Sequence, residues 1–166
     1  MPTILETKSR YPHLERARRL LDDAGGTRWG AVHQEDTYFR VPDGWLKLRV
    51  QDASAELVAY RRAPGHAAHS CTYAVTAIGD PAACRDGLAA VLAIRAVVRK
   101  RREVWAVGVT TVHLDEVERL GRFVELETPA GAASGRAHLR CAALLGISAD
   151  ADLPMSYADL LETAAR

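Results

Sequence analysis

Stretches of alternating apolar and polar residues recur along this chain, and this is the pattern of β-strands that bury one face. Turn signals separate neighbouring stretches, as in "PDG" at 42–44 and "DAS" at 52–54. The pattern predicts strands at 3–10, 28–40, 44–51, 55–62, 70–78, 96–107, 109–117 and 121–128.

Helical periodicity with recognisable end signals interrupts the strands. Pro12 suits the first turn of a helix that Gly25 would end, and Asp80 with Pro81 suits the start of another. Ser156 is the expected N-cap of the last helix. The predicted helices cover 12–26, 80–93, 133–147 and 156–165. Together the elements predict an α+β fold, an eight-stranded antiparallel β-barrel with flanking helices, as a single domain over residues 1–166.

Composition narrows the range of functions. The chain has 166 residues, a net charge of +1 and 48% hydrophobic residues, which is typical of a globular domain. Because non-specific binding to nucleic acid or to membranes needs a large basic excess, we expect neither partner. The sequence shows no apolar run long enough to span a membrane and no signal peptide, and its three cysteines lack metal-site spacing. We therefore expect reduced thiols in a cytoplasmic protein.

The few lysines follow a common pattern. Only three of the 22 cations are lysines, and each lies two residues from another charged residue. The three pairs are Glu6–Lys8, Lys47–Arg49 and Lys100–Arg102. A separation of two residues places both side chains on the same face of a strand. The strands that carry these pairs are therefore predicted to have a charged face.

A dense basic run at 97–105, "VVRKRREVW", is compatible with a nucleic-acid patch, a solvated face or a polyanion site. Strand periodicity divides the run, because Lys100 and Arg102 share one face while Arg99 and Arg101 share the other. Similar alternation aligns Glu125 with Glu127, and His113 with Asp115. We interpret His113 as a structural histidine in preference to an acid–base residue. The charged faces either meet water or line a polar channel inside the barrel.

Several motifs in this order resemble the CYTH domain, the triphosphate tunnel metalloenzyme superfamily of class IV adenylate cyclases, thiamine triphosphatases and inorganic triphosphatases. They are "LETK", "DTYF", "LKLR", "VRKRREVW", "HLDEVERLGRFVELE" and "SYADLL". The resemblance implies an eight-stranded antiparallel tunnel whose basic side chains bind a triphosphate or polyphosphate. It also implies acidic side chains that bind one or two Mg²⁺ or Mn²⁺ ions.

The resemblance assigns roles to individual residues. The expected phosphate-binding residues are Lys8, Lys47, Arg49, Arg62, Lys100 and Arg102, and the expected metal ligands are Glu6, Asp115, Glu125 and Glu127. Of these, Lys8 and Glu125 are the expected catalytic residues. The residue types suit the chemistry, since arginine forks match phosphate oxygens and carboxylates match hard divalent cations.

Three departures from the family pattern affect the expected chemistry. Ile4 stands where the family usually has its first glutamate, which removes one expected metal ligand. Tyr60 stands where many members have lysine, and Arg62 on the same face could supply the missing charge. Lys47 replaces an arginine, so it offers a point charge in place of a fork. These changes make adenylate cyclase activity a weaker expectation than triphosphate hydrolysis.

The sequence thus predicts a metal-dependent hydrolase of inorganic triphosphate, thiamine triphosphate or a nucleoside triphosphate. The alternatives are a class IV adenylate cyclase and a non-hydrolytic tunnel that binds a phosphorylated metabolite or serves another biosynthetic step. Ile4 favours the last of these. A homodimer is compatible with the sequence, which leaves the oligomeric state open. His66 and His69 have helical spacing but no further ligands nearby in sequence, so we do not expect a zinc site there.

Overall fold

The computed structural model describes residues 1–62, 69–131 and 133–165. His66 and the side chain of His69 lie outside the described residues. The strands are β1 (Thr3–Arg10), β2 (Thr27–Phe39), β3 (Trp45–Gln51), β4 (Ser54–Arg62), β5 (His69–Ala77), β6 (Ile94–Val107), β7 (Thr110–Val117) and β8 (Gly121–Pro129). The helices are α1 (Leu14–Asp23), α2 (Pro81–Ala89), α3 (Ser134–Leu145) and α4 (Tyr157–Ala164), with a 3-10 turn at Ala149–Ala151.

The strands form a closed barrel in the order β1-β5-β4-β3-β2-β6-β7-β8, with β8 pairing back to β1. Every neighbouring pair is antiparallel. The predicted eight-stranded antiparallel barrel is therefore confirmed. Closure leaves none of these strands with a free edge, so all eight are held in a fixed register.

Local sequence signals set the helix ends. Asp80 accepts a hydrogen bond from the Ala83 amide at 2.9 Å, and Ser156 forms a reciprocal capping box with Asp159. Helix α1 begins at Leu14, two residues later than predicted, with Pro12 outside it. Within the described residues, no helix combines the length and the apolarity required to cross a membrane.

Helices α1 and α3 cover the outer face of the barrel over β6 to β8. Their apolar residues pack with outward-pointing side chains such as Trp105, Leu114 and Val124 in a continuous buried cluster. Because side chains alternate across a strand, the neighbours of these apolar residues point into the barrel. The charged faces of β7 and β8 therefore line the interior. Of the two arrangements that the sequence allowed, a face in water or a polar channel inside the barrel, these strands adopt the second.

Helix α4 packs against β6 and contributes to a second apolar cluster. In that cluster Tyr157 contacts Phe123 edge-on, with ring centroids 5.0 Å apart, and both side chains are buried. The segment before α4 binds β1, because the Leu153 amide donates to the Lys8 carbonyl at 2.7 Å. This segment brings Tyr157 and the Met155 carbonyl into contact with the charged interior.

Candidate functional site: a charged cavity inside the barrel

A cavity of about 240 Å³ lies inside the barrel. Six cations line it, and all six are the residues predicted to bind phosphate: Lys8, Lys47, Arg49, Arg62, Lys100 and Arg102. Four carboxylates line the same cavity: Glu6, Glu56, Glu125 and Glu127. The barrel thus gathers on one surface the charged pairs that are dispersed along the sequence.

The six cations that line the cavity form what we call the basic wall. Asp36 on β2 does not line the cavity and binds two of these cations. Arg49 forms a two-pronged hydrogen bond with the Asp36 carboxylate at 2.7 and 2.8 Å, and Lys47 donates to the same group at 3.1 Å. Burial alone would raise the pKa of Asp36, but Lys47, Arg49 and Lys100 together bring it well below its usual range. Asp36 is therefore an ionised, fully buried counter-charge.

Sequence reasoning missed Asp36. The alternation in "HQEDTYF" is mixed, so the pattern assigned no face to this residue. The signal lies instead in the pairing register, which places Asp36 directly across from Arg49. That register is a property of the folded sheet.

Asp115 on β7 is fully buried and anchors Arg102. The Arg102 guanidinium binds both carboxylate oxygens, at 2.8 and 2.5 Å, and the Tyr157 hydroxyl donates to Oδ2 at 2.8 Å. Burial would raise the Asp115 pKa, but Arg102 and Lys100 lower it. Asp115, an expected metal ligand, would have to release Arg102 before both its oxygens could meet an ion.

The two expected catalytic residues form an ion pair inside the cavity. Lys8 Nζ lies 3.1 Å from Glu125 Oε1, donates to the Met155 carbonyl at 3.0 Å, and sits 4.2 Å from the centre of the Tyr157 ring. Arg102 donates to the second Glu125 oxygen. Burial would raise the pKa of Glu125, but Arg102 and Lys8 hold it well below its usual range, so this carboxylate stays ionised.

Lys100 is the cation whose charge is least compensated along this wall. Its Nζ lies 3.8 Å from Asp36 and 3.7 Å from Asp115, beyond normal hydrogen-bond length. Burial and the neighbouring Arg102 lower the Lys100 pKa to about 7. An anionic ligand would favour the charged form of Lys100, whose carboxylate partners are distant.

Near Arg62 the cavity becomes partly aromatic. Arg62 binds Glu6 at 3.0 Å and donates to the Pro154 carbonyl at 3.1 Å. Tyr60 lines the cavity and stacks on Trp45, with ring centroids 5.2 Å apart. Ile4, which stands at the position of the missing glutamate, also lines the cavity and adds apolar surface there.

A group suited to a divalent cation lies on β7 and β8. His113, Glu125 and Glu127 each offer one ligand atom, and the three atoms lie within 4.8 Å of one another. His113 Nδ1 is buried and lacks a hydrogen-bond partner among the described residues. Glu6 pairs directly across from Glu127 in the β1–β8 register. These donors fit a metal ion, and the predicted pair Glu125 and Glu127 belongs to the group.

The other half of the basic run points away from the cavity. Arg99 pairs with Glu35 at 2.8 Å, and Arg101 lies 3.6 Å from Glu116 and 3.8 Å from Glu103. The Arg99–Glu35 and Arg101–Glu116 pairs are exposed and of small energetic value. The division of "VVRKRREVW" by strand periodicity is therefore confirmed.

Comparison with protein families matches the CYTH domain over residues 3–147. The chain belongs to the CYTH family. A search of curated proteins gave no match.

Solved structures share the CYTH fold of this chain at low sequence identity. PH1012 protein from Pyrococcus horikoshii OT3 is 21% identical with a TM-score of 0.87, and the match covers 95% of this chain and 98% of that one. A candidate adenylate cyclase from Vibrio parahaemolyticus is 18% identical with a TM-score of 0.78, covering 97% and 98%. The candidate adenylyl cyclase HpAC1 from Hippeastrum, whose structure is described as revealing a dominant triphosphatase activity, is 15% identical with a TM-score of 0.72, covering 99% and 96%.

Proposed function

We propose that this CYTH protein is a metal-dependent hydrolase that binds a triphosphate-containing substrate in its charged cavity. The observation that carries the proposal is the convergence of six cations on a cavity of about 240 Å³. Membership of the CYTH family supports the proposal, and so does the triphosphatase activity described for HpAC1.

The part of the basic wall formed by Lys47, Arg49 and Arg102 suits a chain of phosphates because Asp36 and Asp115, which bind these cations, do not line the cavity. Both carboxylates are fully buried. Phosphate oxygens can therefore approach these cations from the cavity while the carboxylates keep them in place. Arginine forks provide paired donors for phosphate oxygens, and lysines provide point charges.

Glu125 and Glu127 would bind a divalent cation, with Glu6 opposite them on β1. Such an ion, when bound, supplies neutralisation of the negative charge on the phosphates. Lys8 lies beside Glu125 and would contact the phosphate oxygens nearest this carboxylate group. Asp115 would keep Arg102 aimed at the same place.

A phosphate-release assay tests the hydrolase directly. The panel is inorganic triphosphate, thiamine triphosphate, ATP and longer polyphosphates, each with Mg²⁺ and with Mn²⁺. We expect metal-dependent release from at least one substrate and its collapse in Glu125→Gln and Lys8→Ala. Silence across the panel, together with thermal stabilisation by triphosphate, would contradict the hydrolase and support the non-hydrolytic alternative.

The position of Ile4 favours a protein that binds its ligand without hydrolysing it. Its apolar side chain lines the cavity where the family usually has a glutamate. The substitution Ile4→Glu separates the two functions. A large gain in metal-dependent hydrolysis would indicate a weakened enzyme site. No gain in an already active protein would show that this chain works without that ligand. Formation of cyclic AMP from ATP in the same assays would instead support the cyclase.

We propose a small triphosphate or polyphosphate as the partner of this cavity, and we expect no nucleic acid. Lys100 and Arg102 are 5% and 4% exposed, so a ligand has to enter the cavity to contact them. A cytoplasmic location would supply such substrates. The homodimer remains a prediction that sedimentation measurements would test.

A further inference from the structure

His113 on β7 has a buried nitrogen that forms no hydrogen bond with any of the described residues. The residue is 7% exposed, and within the residues that the structure describes its Nδ1 atom accepts and donates no hydrogen bond. The nearest charged atoms are Glu125 Oε2 at 3.8 Å and Glu127 Oε1 at 3.7 Å. A buried polar atom without a partner is costly, so its position calls for a ligand that completes it.

The spacing around Nδ1 is wrong for hydrogen bonds and suitable for a shared ion. Distances of 3.7 and 3.8 Å exceed the length of a hydrogen bond from nitrogen to oxygen. Two ligand atoms each about 2.1 Å from an octahedral ion lie about 3 Å apart, so small side-chain rotations would bring all three atoms to one ion. The three ligand atoms already lie within 4.8 Å of one another.

The charges around this group allow a cation to enter. Glu125 binds Lys8 through Oε1 and Arg102 through Oε2, while Asp115 compensates the charge of Arg102 from behind. Glu127 carries its charge without a close lysine or arginine among its described ion pairs, and its side chain is 34% exposed. Among the described residues, Glu127 thus offers a partly exposed carboxylate that lines the cavity and has no close lysine or arginine.

We propose that His113 is the third protein ligand of the metal ion bound by Glu125 and Glu127, and that it makes this site select a divalent transition metal such as Mn²⁺ over Mg²⁺. The inference rests on the metal site of the proposed function, and it adds the selectivity. Mg²⁺ favours oxygen ligands and retains its water, whereas imidazole nitrogen is a good ligand for transition metals. A site with one nitrogen and two carboxylates therefore prefers the transition metal.

The test uses the metal-free protein with metal alone, so that its result does not depend on hydrolysis. Titration calorimetry gives the Mn²⁺ and Mg²⁺ affinities, and pulsed electron paramagnetic resonance of bound Mn²⁺ detects coupling to an imidazole nitrogen. His113→Gln is the test variant, and His33→Gln on the exposed β2 position is the matched control. Thermal unfolding without metal shows whether each variant is folded.

The wild type and His33→Gln should bind Mn²⁺ more tightly than Mg²⁺ and show the nitrogen coupling. His113→Gln should lose the coupling and bind Mn²⁺ on the order of 10-fold or more weakly, with Mg²⁺ affinity nearly unchanged. Absence of Mn²⁺ binding or of nitrogen coupling in the wild type would overturn the inference, as would unchanged Mn²⁺ affinity in folded His113→Gln. A protein that shows the coupling but hydrolyses nothing would retain the inference and fail the proposed function.

Discussion

At the scale of single residues, Lys100 is a member of the basic wall that should respond to pH near neutrality. Its pKa of about 7 reflects burial and the nearby Arg102, and its two carboxylate neighbours are 3.7 and 3.8 Å away. The lysine is therefore largely neutral in the ligand-free protein above pH 7, although an unburied lysine would be charged.

Triphosphate binding at pH 8 should draw a proton from solvent. The negative charge of the ligand favours the charged form of Lys100, which raises the pKa of this residue in the complex. Calorimetry in buffers of different ionisation enthalpy measures the uptake. Lys100→Arg, which stays charged at pH 8, should show less uptake than the wild type, and equal uptake in both proteins would contradict this account of Lys100.

The residues recovered from the sequence are those on strands with clear alternation. Lys47 and Arg49 have apolar neighbours, and the separation of two residues places Lys100 and Arg102 on one face, so these faces could be predicted. The family resemblance indicated that they line a tunnel. Asp36 was not predicted, because the alternation around it is mixed and its partners come from β3 and β6. The site around the buried nitrogen of His113 depends on distances across β7 and β8 that no sequence pattern gives.

At the scale of elements, strand β6 separates binding charges from surface charges, and α4 supports the binding side. Tyr157 is the first residue of α4. Its hydroxyl donates to Asp115, and the centre of its ring lies 4.9 Å from Lys100 Nζ. The strands and the end signals of the helices were predictable from local sequence. The docking of α4 and of the segment before it was not, because it depends on contacts with β1 and β6 that are distant along the chain.

Tyr157→Phe should loosen the support of Arg102 while preserving the packing of the ring. The substitution leaves one buried Asp115 oxygen without its hydroxyl donor, which should lower the free energy of unfolding by about 1–2 kcal/mol. Urea denaturation measures this change, and triphosphate affinity should fall with it. A variant with wild-type stability and affinity would show that the hydroxyl does not support the site.

At the scale of the whole molecule, the barrel has apolar packing on part of its outer face and charged residues inside, whereas most protein interiors are apolar. Its outer face packs under α1 and α3, while its interior contains buried ion pairs around Asp36, Asp115 and Glu125. Buried pairs are costly to break, because one charge remains without compensation. The cations inside the barrel are thus held in ion pairs with internal carboxylates.

Asp36→Asn should be among the most destabilising changes inside the barrel. It leaves Lys47, Arg49 and Lys100 without their shared counter-charge, and we expect a loss of about 3–5 kcal/mol at pH 7. The difference from wild type should shrink below about pH 4, where the unfolded chain binds a proton that folded Asp36 resists. Urea denaturation at pH 7 and at lower pH checks both expectations, and a difference independent of pH would contradict them.

If the inner face of the barrel binds triphosphate, substitutions on the two faces of β6 should have different effects. Calorimetric titration of inorganic triphosphate into Lys100→Ala and into its neighbour Arg99→Ala compares the two faces of β6, with unfolding curves to show that both variants are folded. Loss of a charged contact should weaken binding by about 10- to 100-fold in Lys100→Ala. Arg99→Ala, which loses a surface pair with Glu35, should bind as the wild type does. Equal losses in the two variants would show a general basic patch and would contradict the tunnel.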